Sequence, residues 1–387
     1  IIHFQTLRAT EGNATQPTVV TDLTHETTTK APWSQGVLRF GAEMRGHLRT
    51  SQDDIDGRDM WRMHANAQYL EGWTLPYGLR LGIETNLAAD YISTRQDSTS
   101  DSKVSQITPA ATLTLRWPLM RMSPRNTQQG AQPGTAGARH LLEPVFQLGW
   151  TGGTRTNHIS DETITQEFDE GNLLALSRFP ASDRRQRGAV SVAGLRWLRY
   201  DPAGWSSGVT LGRVWHDTEG VDFTLASGLR GDRSDWLLAA QYTAANGLSI
   251  GGRGLFDGSS RANSAEGRAA WTGDRFGVNA TYVLEIADPA ENRPEPHSEW
   301  NISGHYDVTR NWTASTNWRY DLAADNLARA GLRLQYRNEC VDVGFSVSRR
   351  FASSANVDPT TKYGLTISLK GFSTGGRATP ETQTCRS

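Results

Sequence analysis

The sequence predicts an all-β fold, a transmembrane antiparallel β-barrel, on three observations. Apolar and polar residues alternate strictly over runs of about ten to fifteen residues, and about sixteen such runs follow one another along the chain. No apolar run approaches the roughly 18–20 residues that a membrane helix needs. Strands of soluble sandwiches are usually only about five or six residues long. Long alternating strands without helices therefore indicate a barrel whose apolar residues face lipid and whose polar residues face the lumen.

Composition and chemistry exclude several other classes of protein. The 387 residues carry a formal net charge of −1, which argues against a general nucleic-acid binder, because such a protein needs a basic face. His158, Asp161, Ser177 and Asp183 share one segment, but no nucleophile motif surrounds any serine, so we predict no catalytic, cofactor or metal site and no enzyme.

The strands are predicted in chain order from the alternation alone, with Ile1–Arg8 as a possible additional strand. They are Val37–Arg49, Trp61–Leu70, Tyr77–Tyr91, Ser105–Trp117, Leu141–Trp150, Ala189–Arg199, Ser206–His216, Asp235–Ala244, Gly247–Asp257, Asn263–Thr272, Arg275–Glu285, Ser298–Val308, Asn311–Asp321, Leu327–Asn338, Cys340–Phe351 and Thr361–Gly371.

The alternation also assigns faces. In the strand that begins at Trp61, the apolar face carries Met63 and Ala65, and the opposite face is polar. The charged residues that we predict to face the lumen are Arg62, His64, Arg80, Glu84, Asp90 and Arg116. Any one of them could simply be part of a solvated channel wall; together they predict a wide polar interior.

Connection lengths predict the orientation. Short turns alternate with longer connections, and bacterial outer-membrane barrels keep the short turns in the periplasm. We therefore expect residues 1–371 to form barrel, with an extracellular loop at 151–188, and residues 372–387 to form a periplasmic tail. The segments Leu119–Ala138 and Ala9–Gln35 then fall on the periplasmic side and break the short-turn pattern.

The loop at 151–188 is unusually long, and such loops are usually functional or disordered. It contains an apolar cluster at roughly helical spacing: Leu173, Leu174, Leu176 and Phe179. We expect this cluster to pack on another part of the protein, with the loop capping the outer mouth of the barrel. The alternative is a mobile surface loop.

The two cysteines, Cys340 and Cys385, both fall on the predicted periplasmic side, which is an oxidising compartment. Three interpretations stay open: a bond between them, bonds to a periplasmic domain outside this chain, or inert thiols. The position of Cys340 at a turn favours cross-linking.

Several blocks, in order, resemble the lipopolysaccharide-assembly outer-membrane family LptD. They are Ile107-Thr108-Pro109-Ala110, Leu115-Arg116-Trp117-Pro118, Leu142-Glu143-Pro144, Asp169-Glu170-Gly171-Asn172-Leu173, Arg178-Phe179, Asp183-Arg184, Ser234-Asp235, Glu339-Cys340 and Leu369-Lys370-Gly371. The chain departs from the family pattern at Ala181-Ser182, where a Gly-Xaa pair is usual, and near Gln186, where an acidic residue is usual.

The resemblance implies a larger barrel of twenty-six strands with an N-terminal periplasmic domain. We therefore expect this chain, with about sixteen or seventeen strands, to be the C-terminal part, without that domain and the first strands, and to leave unpaired strand edges. The resemblance also implies a disulfide from Cys340 to the missing domain, with the pairing of Cys385 less certain.

The function implied by the resemblance is insertion of lipopolysaccharide into the outer leaflet of a Gram-negative outer membrane. The sugars would cross the lumen, and the lipid would leave through a lateral gap whose last strand carries Thr366, Ser368 and Lys370. The implied partners are the plug lipoprotein LptE, the periplasmic bridge protein LptA and membrane lipids. The alternative function is a passive, porin-like channel.

Overall fold

The computed structural model describes residues 2–6, 16–123, 137–154, 156, 158, 165–217, 223–351 and 359–369. Within them, the secondary structure consists of nineteen β-strands and two one-turn 3₁₀ helices, Pro76–Gly78 and Pro289–Glu291. None of the helical residues described forms a segment long and apolar enough to cross a membrane.

The strands, labelled in chain order, occupy most of the described residues. They are β1 (Ile2–Thr6), β2 (Val19–Lys30), β3 (Val37–Leu48), β4 (Asp59–Thr74), β5 (Arg80–Arg95), β6 (Lys103–Arg116), β7 (Leu119–Met122), β8 (Arg139–Thr151), β9 (Gly188–Tyr200), β10 (Ser206–His216), β11 (Trp236–Thr243), β12 (Leu248–Phe256), β13 (Ala262–Thr272), β14 (Phe276–Glu285), β15 (His297–Asp307), β16 (Trp312–Asp321), β17 (Asn326–Arg337), β18 (Val341–Arg350) and β19 (Thr360–Leu369).

Contacts divide the chain into two compact units. The first unit comprises residues 1–121, 141–197 and 210–237. In it, β1 to β6 pair in chain order as antiparallel neighbours, and β8 follows β6 in the same way. The β4–β5 pair is long, running without interruption from Asp59↔Arg95 to Thr74↔Arg80. It forms the frame on which the long loop is placed.

The second unit comprises residues 122–140, 198–209 and 238–387. Its strands β12 to β19 are each paired antiparallel with the next strand along the chain. The repeated neighbour-to-neighbour pairing is a meander, the connectivity predicted from the alternating runs.

The faces of these strands are inverted relative to a soluble sheet. In β5, the apolar side chains of Leu87 and Tyr91 are exposed, whereas Asp90 on the opposite face is only 4% exposed. Met63 in β4 and Ile107 in β6 are likewise exposed. Large apolar side chains on the outside require an apolar solvent, because water would leave them unfavourably hydrated.

One predicted strand boundary and two predicted connections are wrong. The predicted strand from Tyr77 begins at Arg80 instead, because Pro76–Gly78 form a 3₁₀ turn in which Tyr77 has a φ of 62°. Residues 9–15 lie outside the described part, and residues 16–35 are not a long connection: they contain β2, all twelve residues of which pair with β3. What remains between β2 and β3 is a short turn at residues 31–36. Leu119–Ala138 likewise contains the short strand β7, and residues 124–136 lie outside the described part.

Candidate functional site

The long loop, residues 152–187 between β8 and β9, lies against the polar face of the first unit. The side of β3 to β6 that carries Arg62, Glu84 and Asp90 is called the polar face. Near the long-loop end, Arg62 and Asp90 are 1% and 4% exposed, and Gln106 in β6 is also buried. The burial of charged groups on a sheet face requires partners, and the loop provides them.

One ionic cluster joins Asp183 of the loop to β3 and β4. The Arg62 guanidinium donates to Glu43 Oε1 through Nη2 at 2.5 Å, and its Nη1 lies 3.5 Å from Asp183 Oδ1. His158 Nε2, also from the loop, lies 3.8 Å from the other oxygen of Asp183. Arg62 is therefore placed between a carboxylate of the sheet and a carboxylate of the loop.

A second cluster joins Arg185 of the loop to Asp90 of β5. Arg185 Nη1 donates to Asp90 Oδ2 at 2.5 Å, and His64 Nδ1 lies 2.7 Å from Asp90 Oδ1. Gln106 Nε2 donates to the same carboxylate at 3.2 Å. The loop neutralises the buried aspartate with a guanidinium supplied from 95 positions further along the chain.

Arg187 attaches the end of the loop to its beginning. Its guanidinium donates to Gln106 Oε1 at 3.0 Å and to the carbonyl oxygen of Gly152 at 2.7 Å. Arg187 thus bridges β6 and the first residue after β8, and this holds the two ends of the loop close together.

The Asp-Glu-Gly-Asn motif forms a turn closed by its own side chains. Asp169 Oδ1 accepts hydrogen bonds from the backbone amides of Gly171 at 2.8 Å and Asn172 at 3.0 Å. Asn172 Oδ1 accepts in return from the amide of Asp169 at 3.1 Å. Aspartate and asparagine favour such side-chain-to-backbone turns, so the motif fixes the conformation of the chain immediately before Leu173.

Leu173 packs against two strands at positions where each strand carries a glycine. It is 4% exposed, and a Cβ added at Gly212 of β10 would lie 2.5 Å from its Cδ2 atom. A Cβ at Gly194 of β9 would lie 3.1 Å from the same atom. The two glycines therefore form the seat for the leucine that the turn presents.

Arg178 lies inside the loop and holds it together. Its guanidinium donates to the carbonyl oxygen of Leu173 at 2.7 Å and to Gln186 Oε1 at 2.9 Å. Burial lowers the pKa of Arg178 to about 10, which leaves the group charged at neutral pH. Gln186 Nε2 in turn lies 2.6 Å from His216 Nδ1 at the end of β10.

Phe179 attaches the loop to the next long connection. Its ring stacks on Phe223, with centroids 4.8 Å apart and planes at 12°, and the Arg184 guanidinium lies 5.0 Å from its centroid. Of the predicted apolar cluster, Leu173 and Phe179 are buried, and Leu174 and Leu176 are half-buried. The cluster forms turns rather than a helix.

The pKa of His158 in the loop is shifted by the groups around it. Burial lowers the pKa of His158 below its ordinary value, although the Asp183 carboxylate works in the opposite direction. Ser177 does not join these groups: in the described residues its Oγ contacts backbone atoms of Phe179, Arg184 and Gln186. Asp161 lies outside the described residues.

The remaining predicted site residues lie elsewhere. Arg80 and Arg116 are exposed at the short-turn end of the polar face, where they are opposite each other in the β5–β6 register. Glu84, also on this face, accepts a hydrogen bond from Gln68. Among the described residues, no group of three or more histidine, cysteine, aspartate or glutamate side chains has the geometry to hold a metal ion.

The cysteines and the last strand belong to the second unit. Cys340 is disulfide-bonded, and the other cysteine, Cys385, lies outside the described residues. Thr366 and Ser368 lie in β19 and are exposed, as are the apolar residues between and beside them. Lys370 lies outside the described residues.

Sequence reasoning missed several residues that hold the loop: Arg185, Gln186, Arg187 and Gln106. A signal was present in the run Arg184-Arg185-Gln186-Arg187, because so many guanidinium groups at a loop end need acidic or amide partners. The partners themselves, such as Asp90, are too distant in sequence to be assigned from the run.

Comparisons with known proteins complete the description. A family model described as LptD, LPS transport system D, matches residues 1–296. LPS-assembly protein LptD of Burkholderia cenocepacia (strain HI2424) is 29% identical over 105 residues, which are 26% of this chain and 13% of that protein. The same values hold for LPS-assembly protein LptD of Burkholderia orbicola (strain AU 1054). The match thus spans a small part of the length of these curated relatives.

Solved structures give weaker likenesses. The siderophore receptor PirA from Acinetobacter baumannii is 9% identical with a TM-score of 0.44, over 92% of this chain and 65% of that one. A mutant of the Rh. blastica porin is 13% identical with a TM-score of 0.28, over 88% and 99% of the two chains.

Proposed function

This chain belongs to the LptD family, LPS transport system D, and from that premise we propose that it is part of a translocon that inserts lipopolysaccharide into the outer leaflet. Family membership places it in the outer membrane of a Gram-negative bacterium. The family is one of transport and assembly proteins and not a family of enzymes.

The observation that supports a transport path best is the inverted arrangement of the strand faces. Exposed apolar side chains such as Leu87 and Ile107 suit contact with lipid tails, and the opposite face of the same strands carries charged groups. Lipopolysaccharide has the same division between acyl chains and sugars. A strand that is apolar on one side and polar on the other can guide both parts at once.

The direction of transport follows from the connections. The long loop is extracellular in this proposal and covers the polar face near the outer end, and the short turns and residues 372–387 are periplasmic. Lipopolysaccharide would enter at the periplasmic end from the bridge protein LptA. The plug lipoprotein LptE would occupy the lumen of the complete twenty-six-stranded barrel.

The lipid would leave beside the last strand. In β19, Leu365, Ile367 and Leu369 are assigned to the lipid side, and Thr366 and Ser368, with Lys370 after them, to the side of the sugars. All five described side chains are exposed, which is compatible with a strand that cargo passes.

Photo-crosslinking in the full-length protein tests this function. A photo-reactive residue at Thr366 is expected to give lipopolysaccharide adducts that depend on cellular energy, and the same residue at the neighbouring Leu365 serves as the control. If a folded protein gives no energy-dependent adducts at Thr366, the export path does not pass the last strand, and a passive porin-like channel becomes the better description.

A further inference from the structure

A groove lies on the polar face of the first unit, at the short-turn end of β4, β5 and β6. Two adjoining cavities of about 360 and 350 Å³ form it, and both are lined by Gly72, Gly82 and Thr114. The first cavity also has Thr74, Arg80 and Arg116 on its walls, and the second has Val37, Leu70 and Glu84. The groove therefore has a cationic end and a partly apolar end.

The floor of the groove is open because two glycines face each other across β4 and β5. Gly72 and Gly82 are direct partners in the strand register. A Cβ added at either would meet only backbone carbonyl oxygens, the nearest at 3.6 Å from Gly72 and 3.9 Å from Gly82. A bound molecule can therefore approach the sheet backbone between the flanking side chains.

The cationic end consists of two arginines that are directly opposite each other. Arg80 of β5 and Arg116 of β6 are register partners, and like charges in such positions destabilise a sheet. The Arg80 side chain has no hydrogen bond or ion pair with any described residue, and it is exposed. Arg116 lies 3.7 Å from Glu143 and its side chain is 45% exposed, so this carboxylate neutralises the pair only in part.

Two other opposed arginine pairs include an arginine with an acidic partner within hydrogen-bond distance, whereas the exposed Arg329–Arg350 pair of β17 and β18 has no such partner among the described residues. Arg45 and Arg62 are register partners in β3 and β4. Arg45 pairs with Asp22 at 2.8 Å, and Arg62 pairs with Glu43 at 2.5 Å.

A second example is in the other unit. Arg319 and Arg329 are register partners in β16 and β17, and Arg319 pairs with Glu299 at 2.5 Å. In the Arg80–Arg116 pair, the one acidic partner among the described residues is Glu143, at 3.7 Å from Arg116, which is beyond hydrogen-bond distance.

We propose that this groove binds a phosphate monoester carried on a sugar, with Arg80 and Arg116 as the phosphate ligands. The planar guanidinium groups match phosphate oxygens and make strong charge-assisted hydrogen bonds. Thr74 and Thr114 supply hydroxyl groups beside them. Val37 and Leu70 offer apolar contact for a sugar ring or the start of an acyl chain.

Glu84 gives the bound molecule a direction. This carboxylate lines the end of the groove away from the arginines and is held by the hydrogen bond from Gln68. It repels a second anion at that end, so the phosphate is confined to the arginine end. The identity of the carrier as lipopolysaccharide rests on the proposed function; the affinity for a sugar phosphate does not.

The test places a photo-reactive residue at Thr74 in the full-length protein and measures adducts with purified lipopolysaccharide and with enzymatically dephosphorylated lipopolysaccharide. We expect the dephosphorylated form to give at least about tenfold fewer adducts, because it loses two charge-assisted contacts. The R80Q/R116Q variant is expected to show the same loss with the intact form, and R80K/R116K an intermediate one. R319Q/R329Q is the matched control and is expected to behave as wild type.

Several outcomes overturn the proposal. The site is excluded if a folded protein with both arginines gives no adducts at Thr74. It is also excluded if the adducts form equally well without the phosphate or without the two arginines. Competition by glucose 1-phosphate that is no stronger than competition by inorganic phosphate would exclude the sugar as part of the ligand. Persistent adducts at Thr366 in these cases would leave the proposed function intact, whereas loss of adducts at Thr366 in the wild type would count against that function instead.

Discussion

The two ends of the polar face in the first unit use the same residue types in different ways. At the long-loop end, Arg62 and Asp90 are buried, and each contacts an oppositely charged group of the loop. At the short-turn end, roughly 33 Å along β5 from Asp90, Arg80 and Arg116 are exposed and largely unpaired. The same strands thus carry a closed end and an open end.

The difference distinguishes charged residues that stabilise the fold from charged residues that can bind a ligand. A buried ion costs several kcal/mol of desolvation unless a partner and hydrogen bonds offset that cost. The sequence places such partners in the loop for the closed end. At the open end water solvates the arginines, so no partner is required for folding, and the charges stay free for a ligand.

The largest expected effect is that of Asp183→Ala at the closed end. The substitution removes one of the two carboxylates beside the buried Arg62, which keeps Glu43, and breaking a buried pair costs up to about 3–5 kcal/mol. We expect the loop to detach from the sheet, which limited proteolysis within residues 165–187 would detect in the folded protein.

Glu299→Ala is the matched control for that prediction. It removes the carboxylate from Arg319, whose side chain is 52% exposed, and exposed pairs contribute only about 0–1 kcal/mol. Equal stability losses in Asp183→Ala and Glu299→Ala would mean that burial does not distinguish the two kinds of charge.

The next effect compares the two faces of one strand. Ala65 lies on the exposed face of β4, and Asn66 lies on the polar face opposite Gly41. Ala65→Arg is expected to cost about 2–4 kcal/mol if that face meets lipid near the midplane, whereas Asn66→Arg extends into the space above Gly41. Heat-modified gel mobility measures assembly of both variants; equal behaviour would show that the assignment of the two faces is wrong.

The sequence predicts those parts of the structure that depend on neighbouring residues, and it does not predict contacts between residues far apart in the chain. Alternation is a local signal, so it predicts strands such as β4 and β6 to within a few residues. It misses β2 because Thr24, Thr27, Thr28 and Thr29 give neither face an apolar pattern, although threonine suits strands well.

The contacts of the candidate site are not local. Leu173 was recognisable as a residue that needs to pack, but its seat at Gly212 is defined by a strand that begins after the loop has ended. The alternation likewise assigned Arg62 and Arg80 to the same face. It could not tell which of them is covered, because that depends on where the loop lies.

A smaller effect is expected from filling the seat of Leu173. Gly212→Ala would place a Cβ 2.5 Å from the Leu173 Cδ2 atom, and overpacking of this kind typically costs about 1–3 kcal/mol. Proteolysis of the loop should increase less than in Asp183→Ala. Gly344→Ala is the control, because its Cβ would have its nearest neighbour at 4.0 Å, and it should leave loop proteolysis unchanged. Increased loop proteolysis in both variants would indicate a general effect of alanine in the strands.

The smallest effect is a dependence of loop attachment on pH, through His158. Because burial lowers the pKa of His158 in the folded protein, the detached loop binds more protons than the attached loop between that lowered pKa and the ordinary value of about 6.5. Attachment is therefore fully stable above about pH 6.5 and weakens as the pH falls below it. The measurement is the difference in loop proteolysis between pH 8 and pH 5.5, in wild type and in His158→Gln. The prediction concerns the part of the pH dependence that His158→Gln removes. An unchanged dependence in the variant would place the pH response in another group.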